Sequence, residues 1–423
     1  MKEASFFMKK KLKKLKKKLK KFLQNNPLLR KTYRAVLFAK RKHTFKGFQK
    51  SLPLEEKTIF FEAFQGRLVA CSPKAMYLAA VNHPDYADYT FVWSVRNPKN
   101  HKELKAMPRT KVIKWGTKTH LRVLATAKYW VTNSTMPVYV TPSQDQVFIQ
   151  TWHGTPLKRL GCDLTHSENS AQNLREIHKQ YLSQGKKIST FLSPSEFYTQ
   201  KIGSAYRQPA QKFVHCGYPR NDFLFNYTPE DVARVKEKLG IPSGKKVLLY
   251  APTFRDNNYE RGKGFHYDLG IDLALLQQTL GGDYVVLFRT HYFVVDKFDL
   301  KPYEGFIIDV SRYDDINELY IVSDMLVTDY SSVFFDYANL NRPMLFFMYD
   351  YELYKGQLRD FYIDVTTLPG PIVYENDQLG KAILELEQSF VYDEAYKEFN
   401  KIYNTYNDGQ SSIRALQSCI KEK

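Results

Sequence analysis

Four short clusters follow apolar stretches of the sequence and contain the side chains that phosphate chemistry uses. They are TWHGTPLK at 151–158, APTFR at 251–255, RTHY at 289–292 and TDYSS at 328–332. Each offers hydroxyl, imidazole or cationic groups that donate hydrogen bonds to anionic oxygens. Because each cluster ends a strand pattern, we expect the four to converge on one anionic, phosphorylated ligand.

The first cluster places His153 directly after an apolar strand, where its imidazole would act as general base on an acceptor hydroxyl. Gly154 permits close backbone approach, and Thr155 and Lys158 are predicted acceptor or phosphate contacts. A histidine at such a position also serves simply to pack the end of its strand, and the residue alone does not separate these two roles.

The second and third clusters supply positive charge and a second histidine. His291 is predicted to donate to a phosphate oxygen and to stabilise charge on the leaving group, with Arg255 and Arg289 beside it. We therefore predict His153 and His291 as catalytic residues, with both arginines in the donor site.

The fourth cluster lies between a strand pattern, MLVTD, and a helix pattern, SVFFDYANL. Asp329, Ser331 and Ser332 would then occupy a strand-to-helix turn, where free N–H groups and hydroxyls cradle a phosphate. The alternative is that one serine merely caps the helix.

The rest of the chain alternates strand and helix patterns in two blocks, separated by a Pro/Gly-rich stretch near 217–245. This alternation predicts an α/β fold with two doubly wound parallel-sheet domains that face a central cleft. The predicted divisions are an N-terminal attachment segment at 1–50, an acceptor-side domain at 51–220 and a donor-binding domain at 221–423.

Most of the positive charge lies in the first 50 residues. The net charge of the 423-residue chain is +19, and these 50 residues hold 19 Lys and Arg against the single acid Glu3, which leaves about +1 for the remainder. A nearly neutral body argues against a nucleic-acid groove. Within residues 6–23, leucines recur every three to four positions among lysines, which predicts a basic amphipathic helix on an anionic membrane surface; a solvated tail is the alternative.

Cysteine and acid spacing excludes several other classes of site. Cys71, Cys162, Cys216 and Cys419 are too scattered to suggest a disulfide framework or a zinc site, and a reducing cytosol fits best. No acidic pair indicates a metal, so no cofactor is predicted and a metal requirement stays open. We expect no membrane-spanning or secretory segment.

The ordered clusters resemble the CDP-glycerol glycerophosphotransferases that build teichoic acids in Gram-positive bacteria. The similarity covers residues 58–414 and includes FEAFQGRLVACSPKAMY, TWHGTPLKRLG, LSPSEFYTQKI, GYPRND, LLYAPTFRD, FRTHY, the region around TDYSS, and YNDGQSSIR. Several clusters in the right order are more specific than any one motif.

This resemblance implies a GT-B type fold, peripheral attachment to the cytoplasmic face of the membrane, and transfer of glycerol phosphate or ribitol phosphate from a CDP-linked donor. The acceptor would be a hydroxyl of a polyprenyl-diphosphate-linked glycan. It assigns the catalytic base to His153, donor diphosphate binding and catalysis to His291, and donor phosphate contacts to Asp329, Ser331 and Ser332. The pair Gln65-Gly66 departs from the family pattern and leaves the acceptor open.

Two other functions compete with this one. A GT-B sugar transferase would share the phosphate cradle and differ in its nucleotide-sugar donor. A non-catalytic membrane or nucleic-acid-binding protein would explain the basic start but not the ordered clusters at strand ends.

Overall fold

Two parallel β-sheets, one after the other along the chain, organise the molecule in the computed structural model. The structure describes residues 27–165, 173–253, 259–260, 264–265, 270–290, 299–352 and 361–420. The amphipathic helix expected at 6–23 lies outside these residues, as do Arg255 and His291. Those three expectations therefore stay predictions.

The first sheet is built from short apolar strands rich in aromatic and β-branched residues. They are β1 (Glu55–Glu62), β2 (Thr90–Val95), β3 (Thr110–Lys114), β4 (Ala127–Thr132), β5 (Val147–Gln150), β6 (Thr190–Ser193) and β7 (Phe213–His215). All pair in parallel, in the order β3-β2-β1-β4-β5-β6-β7. Every residue of β4 is buried, as expected for a central strand covered by helices on both faces.

The second sheet repeats this plan with six parallel strands. They are β8 (Lys246–Tyr250), β11 (Tyr284–Phe288), β12 (Ile307–Asp309), β13 (Met325–Thr328), β14 (Met344–Phe347) and β15 (Ile372–Val373). Their order is β12-β11-β8-β13-β14-β15, and a separate two-stranded antiparallel ribbon consists of β9 (Tyr259–Glu260) and β10 (Gly264–Phe265).

Helices connect the strands and cover the sheets. In chain order they are α1 (Pro27–Ser51), α2 (Cys71–Asn82), α3 (Lys102–Ala106), α4 (Lys118–Thr126), α5 (Leu174–Gly185), α6 (Glu196–Tyr206), α7 (Asp222–Asn226), α8 (Pro229–Leu239), α9 (Leu273–Leu280), α10 (Ile316–Val322), α11 (Val333–Tyr337), α12 (Asn376–Ser389), α13 (Glu394–Tyr403) and α14 (Ser411–Cys419). Within the described residues, none has both the length and the apolar composition needed to cross a bilayer.

Side-chain caps fix where several helices begin. The Ser195 hydroxyl accepts the Tyr198 N–H at the start of α6, and Asp272 accepts the Leu275 N–H at the start of α9. Each cap satisfies an N–H group that the helix itself leaves without a partner. The strand-to-helix turns are therefore fixed by local chemistry.

The order of strands reverses direction once in each sheet. In the first sheet the reversal falls between β1 and β4, and in the second it falls between β8 and β13. Loops leave to opposite sides at such a point, so a crevice opens at the carboxyl ends of the strands. The sequence clusters at 151–158, 251–253, 289–290 and 328–332 all follow strands at or next to these two crevices. The expected pair of doubly wound domains is confirmed.

Apolar layers lie on both faces of each sheet. Phe60, Trp130 and Phe148 are fully buried on one face of the first sheet, and Phe61 and Trp93 on the other. Burial of such large aromatic side chains stabilises the fold by about 1.5–3 kcal/mol each. The second sheet is enclosed in the same way by two further clusters.

The chain crosses between the domains at GYPRND (217–222), and this segment packs against YNDGQSSIR (406–414). Asp222 accepts the N–H groups of Ser411 and Ser412 at 2.8 and 2.7 Å. Gly217 has φ +85°, and a Cβ there would lie 2.2 Å from the Ser411 hydroxyl oxygen. Only glycine allows this approach. Helix α14 thereby returns to the first domain, where Leu416 is buried.

The basic helix α1 reaches into the first domain. Phe45, which belongs to the predicted membrane-attachment segment at 1–50, is 1% exposed. It packs with Leu121 and Leu124 of α4. The end of that segment is therefore also part of the domain's packing. The domain boundaries at 50 and 220 stay predictions.

Candidate active site

A cavity of about 460 Å³ opens between the two domains at the carboxyl ends of both sheets. This volume lies within the range of small-molecule sites. Its walls combine the WHGT loop of the first domain with the strand ends of the second, and the lining residues are Trp152, His153, Gly154, Thr155, Pro156, Leu157, Lys158, Leu160, Ala251, Pro252, Thr253, Arg289, Thr290, Ser311, Ile316, Tyr330, Ser331, Ser332 and Val333. Every predicted site residue that the structure describes lines this cavity, except Asp329.

His153 projects from a tight turn after β5. Trp152 adopts a left-handed conformation with φ 51°, which turns the chain and stacks the indole on the imidazole at a centroid distance of 4.5 Å. The Nδ1 atom of His153 lies 2.9 Å from the Asn133 carbonyl oxygen. Because a carbonyl only accepts, Nδ1 carries the proton and donates it, and Nε2 of the neutral ring keeps its lone pair.

The surroundings of His153 favour this neutral form. His153 is exposed along the cleft, and desolvation of its ring by the neighbouring protein atoms lowers the pKa of His153. The hydrogen bond to the Asn133 carbonyl raises that pKa, and the positive charge of Arg220 lowers it. The balance is a lowered pKa, so the ring is a free base at neutral pH.

A strained loop after β1 faces the histidine. Phe64, Gln65 and Gly66 have consecutive positive φ angles of 48°, 56° and 71°. The Asn133 side chain holds this loop by accepting the Phe64 N–H at 2.8 Å, and the Phe64 ring lies 6.2 Å from the His153 ring. Backbone strain of this kind persists where the surrounding structure imposes it, often at functional sites. Sequence reasoning noted Gln65-Gly66 only as a departure and missed Asn133.

Gly154 brings the two domains into direct contact. A Cβ at this position would lie 2.9 Å from the Ser332 hydroxyl oxygen. The expected close approach is therefore present, although its partner is the opposite domain. A side chain larger than that of glycine at this position would therefore collide with Ser332 in the predicted donor turn.

The turn at 329–332 divides its residues between two roles. Ser331 and Ser332 line the cavity, and the Ser332 side chain makes no capping hydrogen bond to α11. The alternative that Ser332 serves only as a cap is therefore wrong. Helix α11 has five residues, so its dipole is small and the hydroxyls carry most of the polarity. Asp329 is 1% exposed and accepts the Thr253 N–H at 2.8 Å, which fixes the loop after β8.

Arg289 reaches the cavity from the end of β11. Its Nη1 donates to the Val310 and Tyr313 carbonyls at 3.1 and 2.9 Å, and burial lowers the pKa of its guanidinium. The arginine thus secures the loop after β12 while lining the cavity. Next to it, the Ser311 hydroxyl accepts the Thr290 N–H at 3.0 Å. No sequence motif marked Ser311, which reaches the site because β11 and β12 pair side by side.

Thr155 and Lys158 continue the first-domain wall. Thr155 is buried and its hydroxyl donates to the Tyr218 hydroxyl at 3.4 Å. The backbone of Lys158 bridges to Phe361 of the second domain, and the Leu157 carbonyl accepts the Tyr362 N–H at 2.8 Å. The WHGT loop is therefore fastened to both domains.

A search with family models matches residues 44–421 to CDP-Glycerol:Poly(glycerophosphate) glycerophosphotransferase. The match covers nearly the whole chain and includes all four clusters. The chain belongs to the CDP-glycerol glycerophosphotransferase family. The resemblance seen in the sequence is confirmed, and membership in a transferase family leaves the non-catalytic alternative without support.

Curated members of the family agree with this assignment. The chain is 38% identical over 425 residues to a teichoic acid poly(glycerol phosphate) polymerase of Bacillus subtilis strain 168, covering 98% of this chain and 54% of that protein. It is 36% identical over 372 residues to the Bacillus spizizenii strain W23 protein of the same name, covering 87% of this chain and 93% of that protein. The chain thus spans about half the length of the first relative and most of the second.

A crystal structure of a family member shares the fold. The wall teichoic acid polymerase TagF, as a histidine-to-asparagine variant soaked with CDPG, matches with a TM-score of 0.82 and 35% identity over 92% of this chain and 95% of that chain. The expected GT-B type architecture is confirmed.

Metal binding has no visible support in the part of the chain that is described. No group of three or more His, Cys, Asp or Glu side chains is placed there to hold an ion.

Proposed function

We propose that this family member transfers glycerol phosphate from CDP-glycerol to a hydroxyl of a polyprenyl-diphosphate-linked acceptor in the synthesis of teichoic acid or a related cell-surface polymer. The observation that carries the proposal is a single cavity with different groups on its two walls. One wall has a neutral histidine with its proton on Nδ1, and the other has hydroxyl and guanidinium donors. Such a site serves proton removal and phosphate stabilisation together.

The transfer follows from this arrangement. His153 Nε2 takes the proton of the acceptor hydroxyl, and the acceptor oxygen forms a bond to the phosphorus that carries glycerol. The bond from that phosphorus to the bridging oxygen breaks, and CMP leaves with the electron pair. Ser331, Ser332 and Arg289 donate to the charged phosphate oxygens, and the proposal adds Arg255 and His291 to this donor group.

Glycerol phosphate is favoured over ribitol phosphate. The two relatives described above, at 36–38% identity, are both named for poly(glycerol phosphate). A nucleotide sugar is disfavoured because the family model is that of a glycerophosphotransferase. Donor identity is therefore the first quantity to measure.

A donor panel tests the proposal. The enzyme is incubated with CDP-glycerol, CDP-ribitol or a set of nucleotide sugars, together with a defined lipid-linked acceptor, and the product mass and nucleotide release are measured. We expect CMP and a mass increase of glycerol phosphate units with CDP-glycerol alone. Transfer of a sugar, or no transfer from either CDP-polyol, would contradict the proposal.

The role of His153 is tested by its alanine variant. Loss of a general base typically costs 10²- to 10⁴-fold in turnover. Because the donor groups lie on the second domain, His153→Ala is expected to bind CDP nearly normally in calorimetry. A folded variant that keeps a wild-type single-turnover rate would exclude the base assignment.

Attachment to the cytoplasmic face of the membrane is part of the same proposal. The lysine-rich segment at 1–23 would supply it, by attraction of each lysine to anionic lipid and burial of the leucine stripe. A lipid-linked acceptor is presented at that surface, so attachment would bring enzyme and acceptor together.

A further inference from the structure

We propose that Arg220, where the chain crosses between the domains, is a positioning residue that fixes the Ser331–Ser332 turn against the His153 wall through Asp336. The inference rests on the proposed function, because its consequence is measured on the transfer reaction. Arg220 touches neither the cavity nor the groups assigned to donor and acceptor. Its action is therefore indirect.

The side chain of Arg220 makes a two-pronged contact with the helix that follows the donor turn. Its Nη2 lies 2.7 and 3.0 Å from the two Asp336 carboxylate oxygens, and its Nε lies 3.2 Å from Oδ2. Asn221 adds a further donor to Oδ1 at 2.9 Å. Asp336 is in α11, four residues after Ser332. A planar guanidinium held by both carboxylate oxygens fixes orientation as well as distance.

The backbone of Arg220 is held from both domains. Its N–H donates to the Ser72 hydroxyl of α2 at 3.4 Å, and its carbonyl accepts from the Asn317 side-chain amide of α10. Both ends of the pair are buried, since Arg220 is 7% and Asp336 is 6% exposed. The Arg220–Asp336 pair is thus held in place by hydrogen bonds from both domains at the point where the chain crosses between them.

The same arginine is connected to the first-domain wall of the site through Tyr218. Its guanidinium carbon lies 3.9 Å above the Tyr218 ring, and the Tyr218 hydroxyl accepts from Thr155 of the WHGT loop. A continuous set of contacts therefore runs from Thr155 through Tyr218, Arg220 and Asp336 to α11. It joins the two cavity walls at a point outside the cavity.

The Arg220–Asp336 pair is not the arrangement expected if it contributed only to stability. The Nη1 atom of Arg220 is buried with no hydrogen-bond partner among the described residues, which costs free energy. Replacing a buried ion pair by neutral groups is often neutral or stabilising, whereas its directional contacts specify one geometry. These features fit selection for position.

The test compares four variants with wild-type enzyme. Arg220→Met removes the charge and fork, Arg220→Lys keeps only the charge, and Asp336→Asn keeps the shape of the carboxylate. The double variant Arg220→Met with Asp336→Asn removes both charges and leaves an acceptor for Asn221. As a control, Lys74→Met removes the interdomain ion pair with Asp315, which is 2.9 Å long and partly exposed.

The measurements are thermal melting, CDP affinity, and kcat/KM for the CDP-glycerol donor. A displacement of the donor turn by about 1 Å costs about 10²-fold in rate, so each single variant at Arg220 or Asp336 is expected to lose about that much kcat/KM. Lys74→Met should stay within about 3-fold, as expected for a partly exposed pair. We expect the double variant to melt close to wild type but to keep the kinetic loss.

The pH profile separates positioning from simple folding support. Two other cationic residues, Lys158 and Arg289, line the cavity that His153 faces, and the variants leave both unchanged. Arg220 lowers the pKa of His153, so Arg220→Met should move the acidic limb of kcat/KM to higher pH, and Arg220→Lys should not. Loss of folded protein would lower the plateau without moving the limb.

Each possible result of these measurements either supports or contradicts the positioning role of Arg220. If the double variant recovers kcat/KM together with its melting temperature, the pair serves folding and the inference is wrong. It is equally wrong if the single variants keep wild-type kcat/KM while wild-type enzyme is active. Failure of the proposed function is distinct, because wild-type enzyme would then show no transfer from CDP-glycerol.

Discussion

His153 owes its chemistry to a backbone carbonyl and to the cleft around it. The Asn133 carbonyl accepts a hydrogen bond from Nδ1–H, which keeps the proton on that nitrogen, and desolvation lowers the pKa of the ring. A single residue of ordinary reactivity thereby becomes a base with a fixed tautomer. The Asn133 side chain holds the Phe64 loop at the same time, so one asparagine shapes both the base and the surface facing it.

The lowered pKa of His153 predicts the acidic side of the pH profile. A base with a lowered pKa stays deprotonated as the pH falls, so activity should persist below pH 6.5, the ordinary value for histidine, and disappear only at lower pH. The measurement is kcat/KM for the acceptor against pH. Circular dichroism at each pH confirms that the protein stays folded, and an acidic limb above 6.5 would contradict the prediction.

The contact between Gly154 and Ser332 predicts a selective loss of donor binding. In Gly154→Ala the new Cβ meets the Ser332 hydroxyl at 2.9 Å, so the serine must rotate away from its present position. We expect a loss of about 10-fold in CDP affinity, comparable to one hydrogen bond to a charged group, with little change in melting temperature.

Gly282→Ala is the matched control for this substitution. Gly282 has open space around its Cβ position and no positive φ, so its alanine variant should bind CDP like wild type. Wild-type affinity in Gly154→Ala would show that Ser332 does not contact the donor from its present rotamer.

At the scale of secondary structure, short elements hold the residues of the cavity in place. Helix α11 has five residues and no side-chain cap at Ser332, so neither its dipole nor a capping bond holds the donor turn. Its position instead comes from Asp336, the Thr253–Asp329 hydrogen bond and the strand β13 that precedes it. Packing, more than local helix propensity, therefore determines the position of the predicted donor turn at 329–332.

The start of helix α14 contributes to the contact between the two domains. Asp222 accepts two N–H groups at the start of this helix, so Asp222→Ala should cost about 1–2 kcal/mol locally and weaken the return of α14 to the first domain. The expected result is faster amide hydrogen exchange across 411–419. Asp393→Ala, which removes the cap of α13, should accelerate exchange at 394–403 only.

Unchanged exchange at 411–419 in Asp222→Ala would show that apolar packing alone holds α14. Leu416 and Ile420 provide that packing, since both are buried against the first domain. The comparison with Asp393→Ala separates a general loss of stability from a local one.

At the scale of the whole molecule, the net positive charge and the cavity lie in different parts of the chain. Nearly all of the net positive charge lies in the first 50 residues, whereas the body that contains the cavity is close to neutral. We propose from this division that one part binds an anionic surface while the other binds a small anionic donor.

Deletion of residues 1–23 tests this division. The variant should lose flotation with anionic vesicles and keep its melting temperature, because the segment precedes the helix α1 that packs on the first domain. Wild-type binding should weaken with salt as the Debye length falls from about 10 Å at 0.1 M to about 3 Å at 1 M. Neutral vesicles serve as the control, and unchanged flotation after the deletion would contradict the prediction.

The sequence by itself determined the plan of the fold and the family. Alternating strand and helix patterns predicted two parallel-sheet domains, and the ordered clusters identified the glycerophosphotransferases. Both depend on local signals, namely hydrophobic periodicity and residues that follow strands directly. The same signals located His153, Arg289, Ser331 and Ser332, all of which the structure brings to one cavity.

Only the tertiary structure shows what surrounds these residues and what holds them in place. Asp329 turned inward to hold Thr253, and Asn133, the Phe64 loop, Ser311 and the Arg220–Asp336 pair came from places that no motif marked. Arg220 and Asp336 are 116 residues apart in the chain, so their contact exists only after the second sheet has formed and docked. Long-range pairing depends on the packing of whole elements, and that packing leaves no periodic trace in the sequence.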